Sequence, residues 1–543
     1  MKAKEENRER RDMLPGCVAE FLSEVVRHMR YRRPVREEVR AELTAHFADE
    51  LRGCASEQER LKKAQEMIAG FGDVKLLATL LRRAKRRCRS PWQTAVVRTM
   101  QIAAVLVACL IVYVVWFLAG RPVITTDYVA QFNSLVRPHA DESLNAAPFY
   151  IQAAEIVGEP AADIAELLKR EPGELDAEQK RRFVAWFAER QEMLELVATG
   201  AQKPHYWRVY ESEEGMISVL LPHVRNYRYM IRALSHRAVF LAGEGRQEEA
   251  FSVVQTCYRC GRHLRAGDKT LIEQNVGIRA EDRATSALLH ILSEYRPEPA
   301  QLAAFQKEIE ALFAEKDFAL NVASEKLIIY DEIQRCFTAG LLGRDHLYPR
   351  RLAMLQDLNG ERAEDIVFDL LTRPERWGTA ARILFVHPDR EETRATFDRA
   401  YDLWNDWLRK TPAELRNEGL GIVTEIERTV KGNSFLEVIV PAYGRLYQIS
   451  WMTKVRFDAA LAIVALLRYE AQKGEYPEDL NELVTAGYLG RVPMDPWSSG
   501  SLTYRRAGGD FLLYAWGDFS DDGGQPAKGE DDDGGDAVFW PVP

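Results

Sequence analysis

The feature that most constrains this chain is an uncharged run, IAAVLVACLIVYVVWFLAG, from Ile102 to Gly120, with no charge between Arg98 and Arg121. Roughly 20 helical residues at about 1.5 Å each reach roughly 30 Å, the thickness of a bilayer's hydrocarbon core. A buried core helix is the alternative, but the run is long enough to span, and Tyr113 and Trp116 suit a membrane interface. The pattern predicts one transmembrane helix over 99–120. Seven Lys or Arg residues lie from Arg82 to Arg98, whereas Arg121 is the only one over 121–136. That asymmetry puts the N-terminus in the cytoplasm and residues from about 121 onward outside. With about a hundred residues ahead of it, the span reads as a signal anchor rather than a cleaved signal peptide.

A chain of 543 residues has room for several domains, and 46% hydrophobic with 10% aromatic residues excludes wholesale disorder. The net charge of −9 conceals a split. Residues 1–98 carry 23 basic and 15 acidic side chains, hence +8, which leaves −17 for the remainder. The basic part suits anionic lipid headgroups. The acidic part argues against nucleic acid. The expected partners are the membrane, crossed once, and other proteins.

The fold class that follows is mainly α. A small helical domain over 1–90 precedes the span. An irregular, repeat-like helical domain covers 121–450 outside the membrane, and a small α+β module with an antiparallel sheet covers 451–543. In the first domain, Val35, Val39, Leu43, Phe47 and Leu51 recur every four residues as one apolar stripe. Ser56 starts the next helix with Glu59 in capping-box spacing, and Asp73 caps a further helix carrying Leu76, Leu77 and Leu80. The stretch Arg36-Glu37-Glu38-Val39-Arg40-Ala41-Glu42-Leu43-Thr44-Ala45-His46-Phe47, then Ala64 to Ile68, then Gly70-Phe71-Gly72-Asp73, resembles the permease-prefix (HAAS) type of helical domain found ahead of bacterial membrane spans. That resemblance implies a regulatory or interaction module.

Within 121–450, Ala242-Gly243-Glu244-Gly245-Arg246-Gln247-Glu248-Glu249-Ala250 looks like the turn between two helices of a tetratricopeptide-like repeat, its acidic opening suiting the helix dipole. No second copy occurs at a fixed period. Cys257-Tyr258-Arg259-Cys260 has redox spacing but lies in a helical pattern with no strand before it. Two small residues on a helix is one reading. A Cys257–Cys260 disulfide is another, and zinc with His263 as third ligand is a third. No nucleophile elbow, His-Glu-x-x-His or phosphate loop is present.

The last 90 residues carry Gly474-Glu475-Tyr476-Pro477, Asp495-Pro496-Trp497, and two short alternating stretches parted by Gly508-Gly509. In this order they resemble the C-terminal half of the type II secretion major pseudopilin. The same module closes a group of planctomycete membrane-anchored proteins with a "DDGG" tail, here Asp521-Asp522-Gly523-Gly524. The chain departs from a pseudopilin in placing the span more than 300 residues upstream, without the usual processing site. The resemblance implies a calcium loop, and by position Asp518, Asp522, Asp533 and Asp536 would be its ligands. Oxygen ligands among glycines suit calcium chemically. A solvated acidic tail is the alternative. The function expected is a single-span interaction, scaffold or regulatory protein of the bacterial inner membrane. The alternative is an envelope enzyme, a hydrolase with its site in the helical domain.

Overall fold

The structure is a computed structural model. It describes residues 14–87, 91–219, 221, 223–313, 318–338, 345–348, 350–352, 355, 377–419, 422–440, 443–517, 519–525 and 535–542. The chain is mainly helical and divides into two compact units, Met1–Val115 and Trp116–Pro543.

The first unit is built from helices α1 (Gly16–His28), α2 (Arg33–Leu51), α3 (Glu57–Phe71) and α4 (Val74–Arg87). Their ends follow local chemistry. Ser56 Oγ accepts the Glu59 N–H at 3.3 Å, and the Glu59 carboxylate takes the Ala55 N–H at 3.1 Å. The Asp73 carboxylate accepts the N–H groups of Lys75 and Leu76 at 2.8 and 2.9 Å, which starts α4. Of the α2 stripe, Val39, Phe47 and Leu51 are buried, while Val35 and Leu43 are partly buried. The Phe47 ring lies 6.0 Å from Phe21 and 5.6 Å from Phe71, so α1, α2 and α3 meet there. On α4 the three leucines divide, Leu77 packing against the core. Ala78 is buried, whereas Leu76 and Leu80 are exposed.

Helix α5 (Pro91–Ala119) contains Ala95–Phe117, 23 residues long and apolar enough to cross a membrane. Its Ile102, Val105, Leu106, Ile111 and Val112 are all exposed. In the second unit, the end of this helix is tied down. Phe117 is buried and stacks on His346 at 4.4 Å. A Cβ at Gly120 would come within 2.8 Å of Thr338 and 2.9 Å of His346. These residues belong to a two-residue antiparallel ladder, Phe337–Thr338 with His346–Leu347.

The second unit is organised around an αα-hairpin and the helix packed on it. Helices α6 (Val224–Gly243) and α7 (Gln247–Arg265) join through the small-residue turn read from the sequence. Gly245 takes φ +80°, and the Arg246 N–H reaches back to the Leu241 carbonyl at 2.9 Å. Helix α8 (Leu271–Tyr295) opens with a capping box between Thr270 and Glu273. It crosses α7 where Gly261 faces Gly277. A Cβ on Gly277 would sit 2.6 Å from the Gly261 carbonyl oxygen. The crossing is therefore backbone on backbone.

Helices α9 (Pro299–Leu312), α10 (Ala323–Cys336) and α11 (Gly444–Lys473) extend the body. The expected boundary at 451 falls inside α11. One apolar core runs from Ala146 through α6–α8 to Val455, Ile463 and Leu466 of α11 and on to Phe511, Leu513 and Trp540. The C-terminal module is thus continuous with the helical body, because a single helix supplies core residues to both. Its sheet is antiparallel in the order β1 (Thr503–Ala507), β2 (Asp510–Ala515), β3 (Ala537–Trp540). The Gly508-Gly509 hairpin joins β1 to β2, with Ala507 opposite Asp510. Tyr476, Leu480, Leu483, Tyr488 and Trp497 are buried in the same apolar core as the helix and sheet. Strand β3, whose Trp540 stacks on Phe511 at 5.3 Å, adds a third strand to the two that the sequence predicts.

Replacing Phe47 by Ala should destabilise the first unit by about 3–5 kcal/mol, and Leu43→Ala by clearly less, because Leu43 is only partly buried. Chemical denaturation of residues 1–90 reads both. Equal costs would contradict this packing.

Candidate functional site

Two of the four acidic residues proposed as calcium ligands, Asp518 and Asp533, lie outside the described residues. The other two serve different purposes. Asp536 is buried beside the start of β3, and its Oδ2 accepts the Gly524 N–H at 2.7 Å. Its own N–H donates to the Gln525 carbonyl at 2.8 Å. Burial pushes the Asp536 carboxyl above the usual carboxylate range, against the pull of the Gly524 and Asp522 N–H groups. Asp536 thus pins residues 522–525 to the sheet. The Asp522 side chain is exposed. The neighbour that does engage the sheet is Asp521. It accepts from Tyr514 Oη at 2.8 Å and from the Gly523 N–H at 3.0 Å, and these bonds lower its pKa. Among the described residues, no group of three or more His, Cys, Asp or Glu side chains is placed to hold a metal ion.

The Asp-Pro-Trp motif has a structural explanation. Asp495 is buried, and its carboxylate accepts the N–H groups of Trp497 and Trp516, each at 2.9 Å. One side chain therefore fastens the 493–502 loop to the end of β2. Burial raises the Asp495 pKa, and those N–H groups oppose the rise.

Cys257 and Cys260 lie in the interior of α7, fully buried, and both are free thiols. The two side chains are packed as small core residues on the helix, the first of the readings offered by the sequence. Burial pushes both thiols up, which disfavours the thiolate. His263 is no third metal ligand. Its Nε2 faces the Lys203 carbonyl at 2.9 Å, and a carbonyl only accepts, so Nε2 carries the proton. Nδ1 then accepts from Tyr150 Oη at 2.8 Å.

The chain matches no protein-family model, no curated protein and no solved structure.

Buried polar groups missing from the sequence reading supply the rest of the architecture. Arg265 and Glu281 form an ion pair at 2.6 Å with both side chains 1% exposed. Arg265 also donates to Ser450 Oγ of α11 at 2.7 Å and to the Phe318 carbonyl. Tyr210 Oη bonds both oxygens of the buried Glu273, at 2.9 and 2.8 Å. Asp331 accepts from the Met216 N–H at 2.7 Å and from Arg335 Nε at 2.9 Å. Each of these groups joins segments distant in sequence. Two clefts of about 380 and 300 Å³ flank Lys454 where α11 meets the 489–499 loop. The first is walled by Phe313, Phe457, Leu461 and Pro493, the second by Trp451, Val455, Met494 and Pro496.

The histidines give this body a pH signature. Burial pushes both His236 and His263 down to about 4 from 6.5. Below about pH 6.5 the unfolded chain takes up these protons before the folded one, so stability falls as pH drops through that window, by up to about 3 kcal/mol for His263. Glu325, which burial pushes up to about 7, acts in the opposite sense. A comparison with His263→Gln isolates the histidine. Wild type should lose stability relative to the variant between pH 7 and 4, read from melting temperatures. Parallel curves would contradict the assignment.

Proposed function

We propose that this chain is a membrane-anchored interaction or scaffold protein, held by one span in a bacterial inner membrane. The small basic domain faces the cytoplasm and the helical body faces outward. The observation that carries the reading is the helix Ala95–Phe117, long and apolar enough to span and clad in exposed aliphatic side chains. In water such a surface is strongly unfavourable, whereas in hydrocarbon it is the required one. The basic cluster before it supports the orientation. The partly apolar clefts beside Lys454 suit a partner's extended segment better than a small polar substrate. The resemblances to a permease-prefix domain and to a pseudopilin module fit the same reading.

Protease added to right-side-out inner-membrane vesicles should degrade residues beyond about 125 and spare 1–98, as read with antibodies to each end. Protection of the C-terminal part would overturn the topology.

A further inference from the structure

In the second unit an open pocket of about 380 Å³ lies between α6 and α8, and half of its lining is arginine: Arg228, Arg232, Arg279 and Arg283, with Asn275 and Asp282. We propose that this pocket is a binding site for a small oxyanion-bearing ligand, a phosphate or sulfate ester or a pyrophosphate, gripped by Arg228, Arg232 and Arg279.

The helix period makes the convergence. Arg228 and Arg232 are four residues apart on α6, and Asn275, Arg279 and Arg283 are four apart on α8. Residues so spaced stack along one helix face, and the pocket shows the two stacks turned toward each other. Ile231 and Val276 supply the apolar part of the lining.

Charge compensation separates the lining into two groups. Arg283 is paired with Glu171 at 2.5 Å. Asp282 is paired with Arg456 at 2.5 Å, and Arg456 also donates to Ser286 Oγ at 3.0 Å. Among the described residues Arg228, Arg232 and Arg279 form no direct ion pair, so the pocket's arginines outnumber its one carboxylate, Asp282, which is itself taken by Arg456. The crowding has a cost. Burial, and then the like charges of Arg283 and Arg228, pull the Arg232 guanidinium below its ordinary pKa, against the opposing pull of Tyr229 and Glu171. Arginine rows on a solvated helix face spread apart; these converge on a cavity at the small end of the range for ligand sites. Guanidinium forks match the paired oxygens of a phosphate or sulfate, and an incoming dianion would remove the mutual repulsion. From Asn275 to Arg283 α8 rises about 12 Å, room for one or two such groups.

The test uses the full chain in a nonionic detergent. Pyrophosphate and sulfate are titrated separately by calorimetry and by thermal melting, against sodium chloride at matched ionic strength. Saturable binding of at least one anion, with a rise in melting temperature beyond the chloride control, is expected. Arg232→Gln and Arg279→Gln should each weaken it about tenfold or more. Arg279 is exposed, so its variant should keep the wild-type circular dichroism spectrum. Arg181→Gln, an exposed arginine on another helix, should bind as wild type. Neither anion exceeding the chloride control would overturn the proposal. So would binding undiminished in both pocket variants, or equally diminished in Arg181→Gln.

Discussion

The second unit depends on a close helix crossing with an ion pair locked inside it. Gly261 and Gly277 let α7 and α8 touch backbone to backbone, where any Cβ would collide with a carbonyl oxygen. One turn beyond, Arg265 and Glu281 meet at 2.6 Å with almost no exposure. Taking two charges out of water costs several kcal/mol each, which only good geometry and additional hydrogen bonds can offset. Here Ser450 and the Phe318 carbonyl provide those bonds, and so α11 and the 318–320 segment are drawn to the same point. The glycines bring the helices close, and the ion pair fixes their register. With α7 and α8 fixed, and α6 tied to α7 by the Gly245 turn, the arginines of α6 and α8 come to face one cavity.

The C-terminal module is a continuation of this body. Helix α11 carries Ser450, which bonds Arg265, and further along Val455, Ile463 and Leu466, which share one apolar core with the sheet residues Phe511, Leu513 and Trp540. Two buried carboxylates then fasten loops to strands. Asp495 gathers the Trp497 and Trp516 amides, and Asp536 holds the Gly524 amide. In both cases an acidic residue that invites a reading as metal ligand or solvated charge is occupied by backbone N–H groups.

What was legible in the sequence was local. The uncharged run, the Ser56 and Asp73 caps, the turn after Gly243, the Gly508-Gly509 hairpin and the burial of Tyr476, Leu483 and Trp497 all follow from neighbours a few residues apart. What was not legible depends on residues far apart. Arg265 and Glu281 sit 16 positions apart on different helices, and each alone reads as a solvated charge. Strand β3 lies beyond a long acidic, glycine-rich stretch and pairs with β2 only in space. The arginines at 228, 232, 279 and 283 look like two solvated faces until α6 and α8 lie side by side. Leu76 and Leu80 point outward because Ala78 and Leu77 take the inner face of α4. Residue 451 lies within α11 because a change of composition does not interrupt a helix.

The central claim is that the buried pair acts as one unit at the glycine crossing, and a double-mutant cycle on Arg265 and Glu281 tests it most directly. Unfolding of the full chain in nonionic detergent would be followed for Arg265→Met, Glu281→Leu and the double variant. Each single change leaves a buried charge without its partner and should cost about 3–5 kcal/mol. The double variant should cost no more than either single change, which gives a large coupling energy. Additive costs would show that the two side chains contribute independently, and would contradict this account.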